Sequence, residues 1–286
     1  MRISFQCGIN DIARHFEELY FYVDDFPVRE TSDRSFVELI MYLLGLQKNI
    51  IESMALAVQE IMDVLGEGYD VVQPQVQALW QRFATARIAT QLLMENFLAS
   101  LRSRDGFAGV FQLHGNPALL AQDVAQESAE LCNELLGQAP EIVVREVKPG
   151  VLTYVPRYLR YVFGEVFKNA CRAVVEKHPT RNSETLPPVV CEVERHDENL
   201  SVRVTDRGGG MSPQTLQDAW KFMHSSARES PWANQGGVIA GYGIGLPMSR
   251  MIAQHFGGDL RLRSVKGAGT EVNITLSHVH VVDGQT

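Results

Sequence analysis

Hydrophobic and polar positions follow a helical period over the first half of the chain and alternate like strands over much of the second. Apolar residues recur every three to four positions over residues 9–23, 35–65, 74–101 and 118–136. Gly66 and Gly68 end the second of these segments, and Pro74 begins the third. Long amphipathic helices joined by short connections predict an antiparallel helical bundle.

The pattern changes after the stretch "GQAP" at residues 137–140. Strand-like runs are "EIVVREV", "VVCEVE", "LSVRVT", "DLRLRS" and "TEVNITL", and helical periods recur over residues 156–177, 213–223 and 246–256. Strands mixed with helices and a final hairpin predict an α/β sandwich, one sheet covered by helices. The chain of 286 residues is therefore divided into a helical domain, residues 1–138, and an α/β domain, residues 139–286.

Charge and cysteine content narrow the classes of partner. The net charge of −8 argues against non-specific binding to nucleic acid. The four cysteines are far apart and form no CxxC pair, which favours a reduced compartment over a zinc site. No uncharged apolar run approaches the roughly 18 residues of a membrane-spanning helix, so we expect neither a nucleic-acid nor a membrane partner.

A polar stripe runs along the helix predicted for residues 156–177. Its apolar face carries Phe163, Phe167, Ala170 and Val174, and the same spacing repeats in Glu165, Asn169, Arg172 and Glu176. A solvated helix face explains this stripe simply. The alternative is a site that needs a carboxylate, an amide and a cation in line, and the helix alone leaves both interpretations open.

The stretch "VTDRGGGMS" places Asp206 directly after a predicted strand and three glycines after the aspartate. A carboxylate at the end of a strand can accept a hydrogen bond from an amine, and glycines let a flat ligand approach the backbone. A tight turn that happens to contain an aspartate is the competing interpretation.

The stretch "AGYGIGLPMSR" places Gly241, Gly243 and Gly245 just before a predicted helix. Alternate glycines at a helix N-terminus leave backbone N–H groups available to phosphate oxygens. The stretch is neither a Walker A loop nor a dinucleotide fingerprint, because it lacks the Gly-Lys-Ser/Thr of the former and does not follow a strand.

Taken in order, these motifs resemble the GHKL ATP-binding superfamily of gyrase, Hsp90, histidine kinases and MutL. The order is Glu and Asn on a helix, Asp-x-Gly-x-Gly, a loop, Gly-x-Gly-x-Gly and Gly-Thr. The resemblance implies a Bergerat ATP site in which Asn169 binds Mg²⁺, Asp206 binds the adenine amino group and Thr270 lies near adenine. It places further ATP-contacting positions at Arg172, Gly208, Gly210, Ser225, Ser226, Gly241, Tyr242, Gly243, Ile244, Gly245 and Leu246, with Lys168 at the phosphates.

A narrower resemblance joins residues 140–276 to the mitochondrial 2-oxoacid dehydrogenase kinases. It rests on "YVPRYL", "GEVFKNACRAVVEKH", "VTDRGGGMS" and "GYGIGLPMSRMIAQHFGGDLRLRSVKGAGTEV", and more weakly on "LWQRFATARIATQLLMENF" in the helical half. It implies a serine kinase that phosphorylates and inhibits the E1 subunit of a pyruvate or branched-chain 2-oxoacid dehydrogenase complex. Glu165 would then act as general base or orient the nucleophile.

The same resemblance implies the cofactors, partners and location. It implies ATP and Mg²⁺, with K⁺ as an additional candidate ion, a helical domain that regulates the kinase and docks the lipoyl-bearing E2 core, and a homodimer. The resemblance also implies a location in the mitochondrial matrix. This expectation rests on the resemblance alone, since the first residues form no clear presequence. One departure is Tyr161, which stands where many pyruvate dehydrogenase kinases have histidine and is closer to the branched-chain pattern.

Two other functions remain open. A histidine kinase needs a phosphoacceptor histidine on a bundle helix, followed by an acidic residue. The helical half offers His15, followed by Phe16, and His114, in a segment expected to be a loop. A non-catalytic ATP-binding scaffold would not need Glu165 and Asn169, and both are present.

Overall fold

A computed structural model describes residues 14, 17, 33–178, 185–196, 199–224, 242–277 and 279. The chain divides into two compact units between Arg102 and Ser103. The predicted boundary after residue 138 lies inside the second unit, because a helix over Pro117–Leu136 packs within that unit.

The first unit contains three described helices: α1 (Asp33–Leu46), α2 (Ile50–Leu65) and α3 (Tyr69–Ser100). The single helix predicted over residues 35–65 is wrong, since a polar turn at residues 47–49 separates α1 from α2. The start predicted at Pro74 is also wrong. Pro74 is the sixth residue of α3, so its missing N–H removes one intrahelical hydrogen bond, to the Asp70 carbonyl, and the helix continues through it. The helix predicted over residues 9–23 falls almost wholly outside the described residues.

The second unit opens with a small antiparallel sheet that the sequence did not predict. Its strands are β1 (Phe107–Ala108), β2 (Phe111–Gly115) and β4 (Leu152–Tyr154), in the order β1-β2-β4. Segments of two to five residues are too short for alternation to distinguish a strand from a loop.

The main sheet has five strands in the order β3-β5-β6-β8-β7. These strands are β3 (Ile142–Lys148), β5 (Val189–Arg195), β6 (Asn199–Thr205), β7 (Asp259–Val265) and β8 (Gly269–Ser277). The β3–β5 pair is parallel and the other pairs are antiparallel. All five strands correspond to the alternating runs of the sequence, and β7 and β8 form the predicted final hairpin.

Helices cover the apolar face of this sheet. They are α4 (Pro117–Leu136), α5 (Pro156–Lys177) and α7 (Gly245–His255); the short α6 (Pro213–Asp218) lies between β6 and α7 along the chain. Helix α5 contacts α4, α7 and three strands, and the core between them includes the fully buried side chains of Cys191, Val202 and Ile274. The predicted fold class, a helical region followed by an α/β sandwich, is confirmed, although α6 ends earlier than residue 223 and continues into turns.

Candidate functional site

The predicted site residues converge on a cavity of about 380 Å³ in the second unit. It is lined by Glu165, Asn169 and Arg172 of α5, by Asp206 and Gly210 after β6, by Gly243, Gly245 and Leu246 around the start of α7, and by Thr270 of β8. Lys168, Gly208, Tyr242 and Ile244 are not part of this lining, and Ser225, Ser226 and Gly241 lie outside the described residues. The volume falls within the range of small-molecule sites.

The packing of α5 explains why the polar stripe faces this cavity. Phe163, Phe167 and Val174 are fully buried, and the two phenylalanine rings stack with centroids 5.8 Å apart. Because that face is fixed against the core, the opposite stripe is held toward the cavity. The interpretation of the stripe as a merely solvated helix face is therefore set aside.

Asp206 combines deep burial with one uncommitted oxygen. Its side-chain Oδ1 accepts hydrogen bonds from the backbone N–H groups of Gly208, at 2.8 Å, and Thr270, at 3.3 Å. Among the described residues, Oδ2 takes part in no hydrogen bond, and Asp206 lines the cavity. One carboxylate oxygen thus holds the loop while the other remains available to a donor on a ligand.

Burial shifts the protonation equilibrium of this carboxyl group. Desolvation raises the pKa of Asp206 above its ordinary value, and the two backbone hydrogen bonds and the Lys177 ammonium partly oppose that shift. Ionising this carboxyl group in the folded chain therefore costs stability, which is characteristic of a group retained for binding rather than for folding.

Glu165 is held from two sides. Lys168 Nζ donates to Glu165 Oε1 at 2.5 Å, and both side chains are about one fifth exposed, at 19% and 21%. Glu165 Oε2 lies against Gly245, so closely that a Cβ on that residue would collide with it. The ammonium that the resemblance placed at the phosphates is thus paired with the carboxylate of the adjacent helical turn.

The glycines before and at the start of α7, here called the second glycine cluster (Gly241, Gly243 and Gly245), include one that the local backbone requires. Gly243 has a φ of +74° and its carbonyl accepts a hydrogen bond from the Met223 N–H at 3.1 Å. A side chain there would be strained and would collide with the His224 backbone. Gly243 is therefore needed for the turn that leads into α7, whatever the ligand.

Sequence reasoning missed a second set of contacts around Asp206. Lys177 Nζ donates to the Gly267 carbonyl at 2.9 Å, and the Gly267 N–H donates to Gly209 at 2.7 Å. Ser264 Oγ accepts from the Met211 N–H at 2.8 Å. The bonds at Gly209 and Met211 connect β7 and the β7–β8 turn to the first glycine cluster (Gly208, Gly209 and Gly210) and the residue that follows it. Lys177 follows the polar stripe directly and could have been suspected, but nothing in the local pattern marks Ser264.

The titratable side chains offer little for a metal ion on their own. Over the described part of the chain, no group of three or more His, Cys, Asp or Glu residues could hold one. The described cysteines, Cys132, Cys171 and Cys191, are buried free thiols. A cation here would need most of its ligands from a bound anion, which suits Mg²⁺ with a nucleotide phosphate and a single protein amide.

Among the described helices, none is both long and apolar enough to span a membrane.

The fold and the cavity define a GHKL ATPase-type domain. Residues 154–280 match the family model described as "Histidine kinase-, DNA gyrase B-, and HSP90-like ATPase". That range contains α5, both glycine clusters and Thr270.

Comparison with curated proteins narrows the family further. The chain is 31% identical over 267 residues to mitochondrial [pyruvate dehydrogenase (acetyl-transferring)] kinase isozyme 4 of Rhinolophus ferrumequinum, covering 88% of this chain and 64% of the relative. It is 30% identical over 277 residues to the mitochondrial pyruvate dehydrogenase kinase of Drosophila melanogaster, covering 92% and 67%. The figures for the kinase of Ascaris suum are 31% over 257 residues, 86% and 63%. The chain belongs to this kinase family, and it spans about two thirds of the length of these relatives.

Proposed function

We propose that the chain is an ATP-dependent protein kinase that phosphorylates a serine of the E1 subunit of a mitochondrial 2-oxoacid dehydrogenase complex. The observation that carries the proposal is the cavity in which the uncommitted oxygen of Asp206 and the Glu165–Asn169 pair occur together. The names of the relatives favour pyruvate dehydrogenase over its branched-chain counterpart as the substrate complex.

The roles of the site residues follow from their chemistry. Asp206 Oδ2 would accept a hydrogen bond from the adenine amino group beside Thr270, and Arg172 would balance phosphate charge. Asn169 would supply a neutral oxygen to Mg²⁺ bound to the phosphates. The bound ion would neutralise the charge that develops on the phosphate oxygens.

Glu165 is the candidate proton acceptor. During transfer, the serine oxygen forms a bond to the γ-phosphorus while the bond from that phosphorus to the β,γ-bridging oxygen breaks, and ADP leaves. The proton of the serine hydroxyl passes to the Glu165 carboxylate. Arg172, whose side chain is 15% exposed and whose Nε lies 3.7 Å from Glu176 Oε1, is the stripe's guanidinium and would offset the negative charge of the phosphates.

Partners and location rest on the family. The relatives are named mitochondrial kinases of pyruvate dehydrogenase. A mitochondrial matrix location, a homodimer and a lipoyl-bearing E2 core as docking partner of the helical region are proposed accordingly. The regulatory role of that helical region is part of the same proposal.

The position of His114 disfavours a histidine kinase. His114 lies in strand β2 rather than on a helix, with a φ of +52°. The helices α1 to α3 contain no histidine among the described residues, and His15 lies outside them. A phosphoacceptor on a bundle helix therefore has no candidate within α1 to α3.

Labelled ATP decides between the functions. We expect incubation with purified E1 subunits of the pyruvate and branched-chain complexes to yield acid-stable phosphoserine on the pyruvate E1, located by peptide mapping. Acid-labile phosphohistidine on the chain itself would support the histidine kinase instead. ATP binding without transfer to either E1 would identify a scaffold.

Asn169→Ala is expected to remove the dependence of nucleotide affinity on Mg²⁺. The amide is the neutral oxygen of the stripe in the cavity lining, so its loss leaves the ion held by phosphates and water alone. Calorimetry of ATP binding with Mg²⁺ and with a chelator measures this directly. Asn169→Asp is the matched control, because it keeps an oxygen ligand. An alanine variant that still gains affinity with Mg²⁺ like the parent would overturn the assignment.

A further inference from the structure

Gly245 is the first residue of α7, and its backbone does not require glycine. Its φ lies outside the positive range in which glycine is favoured, unlike that of Gly243. Alanine is the better residue in a helix, because it loses less conformational freedom on folding. The reason for a glycine at this position must therefore be a neighbouring group.

That neighbour is the Glu165 carboxyl group. The three heavy atoms nearest to the place of a Cβ on Gly245 all belong to Glu165: Oε2, then Cδ at 2.9 Å and Cγ at 3.3 Å. The carboxylate thus occupies the volume that any side chain at position 245 would fill. The glutamate could escape a methyl group there only by rotating away from its present position.

The two carboxylate oxygens face different elements. Lys168, on the same helix as Glu165, holds Oε1 at 2.5 Å. Oε2 lies at the first turn of α7, where the backbone N–H groups lack intrahelical partners and the helix dipole favours negative charge. Helices α5 and α7 together therefore set where the carboxylate lies.

We propose that Gly245 is a positioning residue for Glu165. Because Gly245 has no side chain, the Glu165 carboxylate can occupy the space beside its Cα. The inference rests on the proposed kinase function, in which Glu165 accepts the serine proton. The two described glycines of this cluster then have separate tasks: Gly243 forms the turn, and Gly245 admits the carboxylate next to the phosphates.

Gly245→Ala is expected to separate binding from transfer. Displacement of the base by about 1 Å lowers catalysis on the order of 10²-fold, so we expect kcat to fall at least 10-fold. We expect the dissociation constant for ATP to stay within about three-fold, because Asp206 and Asn169 are untouched.

Gly164→Ala is the matched control. Gly164 precedes Glu165 on α5, and a Cβ there meets nothing closer than Val124 Cγ1 at 3.9 Å. This variant should keep both the parental kcat and the parental affinity. If Gly245→Ala lowers ATP affinity 10-fold or more and leaves kcat unchanged, the glycine serves the phosphates and the proposal is wrong.

A double-mutant cycle on thermal unfolding tests the contact without any phosphate transfer. Gly245→Ala should lower Tm in the parent but raise it in a Glu165→Ala background, where all three crowding atoms are gone and alanine favours the helix. Equal changes in both backgrounds would overturn the proposal. If the chain transfers no phosphate at all, the proposed kinase function is wrong. The cycle still shows whether the Glu165 carboxylate occupies the space beside Gly245. The double variant also keeps the test usable if Gly245→Ala alone does not fold.

Discussion

Glu165→Gln is expected to lower phosphate transfer by about 10²-fold or more, the usual effect of losing a general base. Glutamine has the shape of glutamate, so it still fits against Gly245, and its amide oxygen can still accept from Lys168. It cannot take up the serine proton. Nucleotide affinity should therefore stay within a few-fold of the parental value, measured by titration beside a single-turnover transfer assay.

Glu127→Gln is the matched control for this loss of charge. Glu127 lies on α4, is exposed and pairs with Arg160 at 2.6 Å, so its neutralisation removes a surface ion pair of small effect. Transfer by this variant should equal that of the parent. Parental transfer by Glu165→Gln itself would show that Glu165 serves only as the partner of Lys168.

Asp206→Asn is expected to weaken ATP binding by about 10- to 100-fold and to abolish the preference for ATP over GTP. An asparagine oxygen can still accept from the N–H groups of Gly208 and Thr270. Its amide nitrogen then replaces Oδ2 and presents a donor to the adenine amino group, which is also a donor. Calorimetry with ATP and GTP measures both quantities, and an unchanged preference would contradict the adenine assignment.

The same variant should be no less stable than the parent at neutral pH. Because burial raises the pKa of Asp206, the folded chain binds that proton more tightly than the unfolded chain does. The resulting loss of stability develops as pH rises from the ordinary carboxyl pKa through the raised pKa of Asp206. Thermal unfolding across pH should show the advantage of Asp206→Asn at pH 7 shrinking on acidification.

Asp259 provides a control of opposite sign. Burial raises the pKa of Asp259, but hydrogen bonds from Arg250 and Arg261 outweigh that effect and lower it to about 2. Its ionised form therefore stabilises the fold above the ordinary carboxyl value, and this contribution is lost as pH falls toward 2. Asp259→Asn should be less stable than the parent at pH 7. A shared pH trend for the two variants would show that net charge, rather than local environment, governs both.

The sequence by itself determined the helical region and the five-stranded sheet, and it singled out Glu165, Asn169 and Asp206, which line the cavity. The period of Phe163, Phe167 and Val174 defined the buried face of α5, and alternation over Leu200, Val202 and Val204 defined β6. Such patterns report burial along a single element, so they were sufficient for elements of seven residues or more. They were insufficient for β1, β2 and β4, and for the break between α1 and α2.

The tertiary structure alone decided where the site residues lie relative to one another. Local spacing showed that Glu165, Asn169 and Arg172 share a face, but whether that face meets water or a cavity depended on how α5 packs against the sheet and α7. The i,i+3 spacing of Glu165 and Lys168 already suggested that they pair. The fit of the Glu165 carboxylate against Gly245 and the bond from Lys177 to Gly267 could not be predicted from local pattern. These two contacts join residues that are at least 80 positions apart. Periodicity carries no information about either, because both are set by packing between elements.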